Sequence, residues 1–237
     1  MLERTKICSI ILAAGSGKRF GAKKQFLKLA GKHILLWSVE RFLPFSGKLL
    51  VVLPPGETGE TGRLKDIIKK YPRTDIVEGG AERYDSVRNA LRHVPAVFDI
   101  VCIHDGVRPF VSRDDVSRCI FAAKRYGAAI CACPSTDTVK TGHTGAGTGV
   151  NKGSRGVFFV RETLNRDNVF LVQTPQAFRR DLLLTAYNGN IPPGTTDDAR
   201  VVEIMGHRVA IVPTSPSNIK ITTRTDFAIA QALAKKF

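Results

Sequence analysis

The sequence predicts a doubly wound α/β fold built on a mainly parallel sheet, and three features predict it. Short apolar runs rich in Val, Ile and Leu alternate with longer amphipathic stretches. The runs lack the polar alternation of half-exposed strands, so both faces of each strand are covered. Strand–helix–strand succession with right-handed crossovers then places helices on both sides of one sheet. In such a sheet ligands bind beyond the carboxyl ends of the strands.

The elements follow in order. Ile7–Leu12 reads as the first strand, and His33–Phe42 as a helix carrying Ile34, Leu35, Trp37, Val39 and Phe42. Leu49–Leu53 is a strand ended by Pro54 and Pro55, and Arg63–Tyr71 is a helix with Leu64, Ile67 and Ile68 inward. Asp75–Val77 is a short strand before Gly79 and Gly80, and Glu82–Val94 is a helix with Val87 and Leu91 on one face. Asp99–Ile103 is a buried strand. Ser112 then caps a helix running to Tyr126, with Asp115 at the capping-box spacing. Ala128–Cys133 is the next strand. The segment Thr138–Gly156, rich in Gly, Thr and Lys, breaks the rhythm and is too long for an ordinary loop. It is either disordered or, as its β-forming flanks favour, a projecting hairpin, which is marginal alone and for which a second subunit is the natural thing to pack against. Alternation resumes with a strand at Phe170–Gln173, helices near Arg180–Tyr187 and Asp197–Met205, strands at Val209–Val212 and Ile219–Thr222, and a helix to about Lys236. The whole reads as one domain over residues 1–237, with an arm at about 137–162.

Composition bounds the chemistry. The net charge is +15, from 36 basic and 21 acidic residues, which invites an acidic partner: nucleic acid, an anionic membrane or a phosphorylated small molecule. No nucleic-acid motif appears, and the basic residues are not interleaved with aromatics as in single-strand binders. No run approaches the roughly 20 apolar residues of a membrane span. The apolar run Ile7–Ala14 follows Arg4 and Lys6, but it is short for a signal peptide and leads into a basic segment; a buried strand explains it better. Five cysteines in apolar contexts read as reduced core thiols of a cytoplasmic protein.

Three strand ends carry the unusual residues. "LAAGSGKRFGAKKQF", Leu12–Phe26, sets a glycine turn beside Lys18, Arg19, Lys23 and Lys24. It lacks the Gly-Lys-Ser/Thr of a Walker A loop, and Phe20 stands where a dinucleotide fingerprint has its third glycine. Backbone N–H groups at Gly15 and Gly17 with the nearby cations still suit a phosphate chain. "EGGAERYDS", Glu78–Ser86, offers Gly80 and Ser86 to a base edge, or is only a turn into a helix. "HDGVRPF", His104–Phe110, ends a strand on Asp105, which serves either as a local cap or as a ligand for Mg²⁺. Arg108 beside it suits a phosphate or a neighbouring carboxylate. "QTPQAF", "GTTDDA" and "SNIKIT" read as loops in isolation: Pro175 sets a turn, Thr196 caps a helix, and Lys220 points away from Ile219 and Ile221. No Gly-x-Ser-x-Gly elbow appears, and the five histidines read as structural.

Taken in order and spacing, these segments, with "DTVK", resemble the 2-C-methyl-D-erythritol 4-phosphate cytidylyltransferase family over nearly the whole chain. The resemblance implies a Rossmann-like, nucleotide-diphosphosugar transferase fold with a β-arm that builds a homodimer. It implies transfer of CMP from CTP to a sugar-alcohol phosphate with release of pyrophosphate, in the non-mevalonate route to isoprenoid precursors. Arg19 and Lys24 match the residues that stabilise the transition state. Ala13, Ala14, Gly15, Gly80, Ser86 and Gly106 match nucleotide contacts, with Gly17 and Lys18 beside them, and Asp105 matches the acid near Mg²⁺. Arg166 and Lys220 match contacts to the acceptor phosphate, with Thr138 and Arg108 as further candidates; Thr138 and Arg166 then act on the neighbouring subunit's site. Lys23 stands where the family has proline, Ala81 where it often has Asp, and Gly106-Val107 where two alanines are common. Ribitol 5-phosphate cytidylyltransferases share the scaffold but tend to carry glycine at Ala14. A nucleic-acid-binding protein and a non-catalytic nucleotide sensor are the rivals from other classes. The reaction needs no general base, because the attacking phosphate, with a second pKa of about 6, is already ionised.

Overall fold

Strand β1, Ile7–Leu12, is almost wholly buried, because its alternate residues feed two different cores. Ile7 and Ile11 face one, and Cys8 and Ile10 face the other. A computed structural model describes residues 6–15, 26–56, 59–144 and 157–236. Within it, β2 (Lys28–Leu29) and β3 (Lys32–His33) form a small hairpin leading into α1 (Ile34–Phe42). Then follow β4 (Lys48–Leu53), α2 (Gly59–Ile68), β5 (Thr74–Glu78), α3 (Arg83–Leu91), β6 (Ile100–Asp105), α4 (Arg113–Tyr126) and β7 (Ala128–Pro134). Strands β8 (Lys140–Thr144) and β9 (Phe158–Thr163) make the arm. The chain continues with β10 (Phe170–Arg179), α5 (Arg180–Asn188), α6 (Asp198–Ile204), β11 (Ala210–Pro213) and α7 (Arg224–Leu233).

Seven strands form one sheet in the order β11-β7-β10-β6-β1-β4-β5. Strands β6, β1, β4 and β5 are mutually parallel, as are β7 and β11, while β10 runs antiparallel between β6 and β7. One face packs on α1, α2 and α4 through residues such as Leu35, Phe42, Leu64 and Ile120. The other packs on α3, α5 and α6 through Val87, Leu91, Leu183 and Val202. A third cluster, with Leu29, Ile34, Phe110, Ile221 and Ala230, seats α7. All five cysteines are free and buried, as the composition predicts, and burial pushes the Cys8 thiol up to about 12.

Three expectations need correction. "QTPQAF" is not a loop but the second half of β10: Pro175 falls in a register shift between Val172 and Gln176, where its missing N–H breaks no ladder bond. Ile219–Thr222 is not a strand. Its polar backbone is spent elsewhere, the Asn218 carbonyl accepting from Arg108 and the Ile221 N–H donating to the Val107 carbonyl. The cap of α6 is Asp197 rather than Thr196, since the Asp197 carboxylate accepts from the Arg200 N–H at 3.2 Å. Ser112 caps α4 as expected, accepting from the Asp115 N–H at 2.9 Å.

Candidate functional site

The parallel strands end together at one rim of the sheet. The turn after β1 is pinned there by the Ala13 N–H to the Val52 carbonyl and the Gly106 N–H to the Leu12 carbonyl, both 2.8 Å. Small residues let the three rim loops close on one another. A Cβ on Gly79 would lie 2.2 Å from that of Ala14, and one on Gly106 would lie 2.7 Å from Leu35 and 3.2 Å from the Cβ of Ala13. Ala13, Ala14, Gly80, Ser86 and Gly106 therefore share one rim, with Gly15 continuing from β1. The Gly80 N–H donates to Ser86 Oγ at 3.1 Å, and that hydroxyl donates to the Glu82 carbonyl, so Ser86 holds the turn in shape. Gly17, Lys18, Arg19, Lys23 and Lys24 lie outside the described residues.

Asp105 ends β6 and is the electrostatic centre of this rim. Its carboxylate receives Lys220 Nζ at 2.8 Å, Arg108 Nε at 3.5 Å and Arg83 Nε at 3.9 Å. Burial would raise the Asp105 pKa, but Lys220, Arg83 and Arg108 outweigh it and hold the carboxyl well below its usual range. The carboxylate is therefore ionised at neutral pH. Lys220 is the half-exposed partner, whereas Arg108 is buried and also tied to the Asn218 carbonyl at 2.8 Å.

The backbone under Asp105 is fixed by a buried relay. The Asp105 N–H donates to Thr174 Oγ1, and that hydroxyl donates to His104 Nδ1, both at 3.0 Å. His104 Nε2 donates to the Arg108 carbonyl at 3.1 Å. A carbonyl only accepts, so the proton sits on Nε2 and Nδ1 is the acceptor. Burial lowers the His104 pKa to about 4, so the ring is neutral. Asn218 braces the same region, donating to Gln173 Oε1 and the Thr174 carbonyl at 2.9 Å each.

Nothing in the local sequence singles out Arg83, although it lies inside "EGGAERYDS". Its guanidinium grips Asp198 at both oxygens, at 2.9 and 2.7 Å, and Asp198 is fully buried. Tyr187 donates a further bond to Asp198 at 2.5 Å. Burial would lower the Arg83 pKa, but Asp198 and Asp105 raise it beyond its ordinary value. The available signal was the acidic pair in "GTTDDA" ahead of an apolar helix: a buried Asp there needs a cation.

Thr138 and Arg166 sit elsewhere, at the exposed base of the arm, where Arg166 reaches the Thr136 carbonyl at 3.4 Å. The adjoining β9 is exposed along its length, with Phe158, Phe159 and Val160 each at least 44% exposed. Among the described residues no three His, Cys, Asp or Glu side chains gather as a metal cluster. A lone ionised carboxylate does fit Mg²⁺ held mainly by phosphate oxygens. No helix among the described residues is long and apolar enough to cross a membrane.

Comparison with known proteins adds the family. A model described as IspD: 2-C-methyl-D-erythritol 4-phosphate cytidylyltransferase matches residues 7–236. A protein of that name from Syntrophus aciditrophicus is 40% identical over 243 residues, covering 98% of this chain and 97% of its own. Another from Alkaliphilus oremlandii is 40% identical over 239 residues, covering 98% and 96%. Among solved structures, 4-diphosphocytidyl-2C-methyl-D-erythritol synthase from Anaerococcus prevotii superposes with a TM-score of 0.79 at 30% identity, covering 97% of this chain and 98% of that one. The Thermus thermophilus cytidylyltransferase gives 0.74 at 33% identity, covering 96% and 98%.

Proposed function

Because the chain belongs to the 2-C-methyl-D-erythritol 4-phosphate cytidylyltransferase family, we propose that the rim around Asp105 is where it joins its two substrates. The chain transfers CMP from CTP to 2-C-methyl-D-erythritol 4-phosphate in isoprenoid biosynthesis. An oxygen of the acceptor phosphate attacks the α-phosphorus of CTP. The new P–O bond forms as the bond to the β-phosphate breaks, giving 4-diphosphocytidyl-2-C-methyl-D-erythritol and pyrophosphate.

The barrier is repulsion between anions, so preorganised positive charge is what catalysis requires. One observation carries the reading: three cations from three separate segments converge on one buried carboxylate at the carboxyl rim. Asp105 is the residue that would hold Mg²⁺, and the ion would supply positive charge against the triphosphate. Lys220, half exposed and held by Asp105, is suited to receive the acceptor phosphate, with Arg108 behind it. The cytidine lies along Ala13, Ala14, Gly15, Gly80, Ser86 and Gly106, the rim whose small residues let the turns pack closely together, with open space at Gly15. Gly17 and Lys18 meet the triphosphate, and Arg19 and Lys24 steady the five-coordinate α-phosphate.

The chain works as a homodimer, with Thr138 and Arg166 reaching the neighbour's acceptor. The exposed β9, apolar at Phe158, Phe159 and Val160, supports this, since these side chains lack full cover within their own subunit. The acceptor assignment is tested by pyrophosphate release from CTP with methylerythritol phosphate or ribitol 5-phosphate. Turnover with the first and little with the second is expected; the reverse would overturn it.

A further inference from the structure

The bidentate grip of Asp198 on Arg83 has no part in the chemistry above, yet Arg83 stands 3.9 Å from Asp105. Arg83 opens α3 just beyond the Gly80 turn, and Asp198 opens α6. Asp198 is itself built in: Gln176 Oε1 accepts from the Asp198 and Ala199 N–H groups at 3.1 and 3.0 Å, and Gln176 Nε2 donates to Asp197 at 3.0 Å. The guanidinium is thus a cation between two carboxylates, one fixed and fully buried, the other at the reactive rim.

We propose that Asp198 is a positioning residue that, through Arg83, sets how much positive charge bears on Asp105. With Asp198 ionised, both ends of the guanidinium are engaged by a second carboxylate, and Arg83 braces Asp105 without becoming a full counter-ion to it. With that negative charge gone, Arg83 becomes an uncompensated cation whose nearest anion is Asp105. It then competes directly with a divalent ion arriving with CTP. This inference rests on the reading that Asp105 meets the metal. Outer partners of a metal ligand commonly change affinity by about 10–100-fold.

The test is calorimetric titration of the full-length protein with CTP, with and without Mg²⁺ and with no acceptor, so that nothing turns over. Asp198→Asn keeps the shape and removes the charge. It should weaken CTP binding about tenfold or more in Mg²⁺ and change it little without the metal. Arg83→Gln combined with Asp198→Asn removes both charges and should recover most of the Mg²⁺-dependent gain. Tyr187→Phe leaves the Asp198 charge in place, and should lower the melting temperature while preserving that gain. Should Asp198→Asn alone not fold, the double variant carries the test: a gain at or above the parent level supports the proposal, and its loss overturns it. Equal losses with and without Mg²⁺ in both variants would reduce the pair to a structural tie. Asp105→Asn separates the underlying reading, because if that change leaves the Mg²⁺-dependent gain intact, Asp105 does not meet the metal whatever Asp198 does.

Discussion

Asp105 was legible in the sequence because an acid at the end of an apolar run, followed by Gly-Val-Arg, is an unusual place for charge. Arg108 and Lys220 were legible as cations. Their convergence was not, because Arg108 and its partner Asn218 lie 110 positions apart and meet only in the folded sheet. Arg83 and Asp198 stayed hidden for the same reason, and each alone looks like an ordinary helix-start residue. His104 read as structural, and it is, as the acceptor that orients Thr174 beneath Asp105. Its burial has a pH signature. The unfolded ring titrates at 6.5 and the folded one at about 4, so between these values the unfolded state binds the extra proton. Stability therefore falls as pH drops from about 6.5 toward 4, by roughly 3 kcal/mol from this group. Asp105, whose pKa is depressed from 3.8, contributes its loss only below that window. Denaturant titrations of the nucleotide-free protein should show the slope, and His104→Gln should lack that part of it. In the basic loop, Arg19→Ala or Lys24→Ala should lower kcat by about two decades or more, the scale for removing a preorganised donor. Steady-state kinetics with both substrates checks this, and near-normal turnover would remove those residues from the mechanism.

At the scale of elements, strands buried on both faces announced themselves, because no other short segment is so uniformly apolar. Strand β10 did not, because Pro175 reads as a breaker when the register shift that accommodates it is invisible in one dimension. The Ile-Lys-Ile of Ile219–Ile221 imitates a strand, but the sheet edge beside β7 is taken by β11. The rim loops depend on small side chains more than on glycine flexibility. Gly79→Ala would thrust a methyl to 2.2 Å from the Cβ of Ala14, forcing the nucleotide-side turns apart. A displacement near 1 Å at a reacting site can cost up to about a hundredfold, so kcat/KM should fall by one to two decades. The fold should survive, as circular dichroism would show. Unchanged kinetics would mean that the turns open freely.

At the scale of the molecule, the arm was foreseen from composition alone: a glycine-rich insert between β-forming flanks. Its hairpin register does not follow from composition, nor does the exposure of Phe158, Phe159 and Val160 on which the proposed homodimer rests. If Arg166 serves the neighbour's site, Arg166→Ala and Asp105→Asn proteins should each be nearly inactive yet regain activity when mixed and allowed to exchange subunits. Each hybrid then carries one intact site. No recovery, with hybrid formation verified by native mass spectrometry, would place Arg166 in its own subunit's site. The convergence on Asp105 also bears on how the molecule is made. All seven strands of the sheet are complete by Pro213, whereas the closest cation to Asp105 arrives only at Lys220. A chain still on the ribosome, or one clipped just past β11, would hold every strand of the sheet but not α7, and its central acid would be short of a partner, so the sheet is complete before competence.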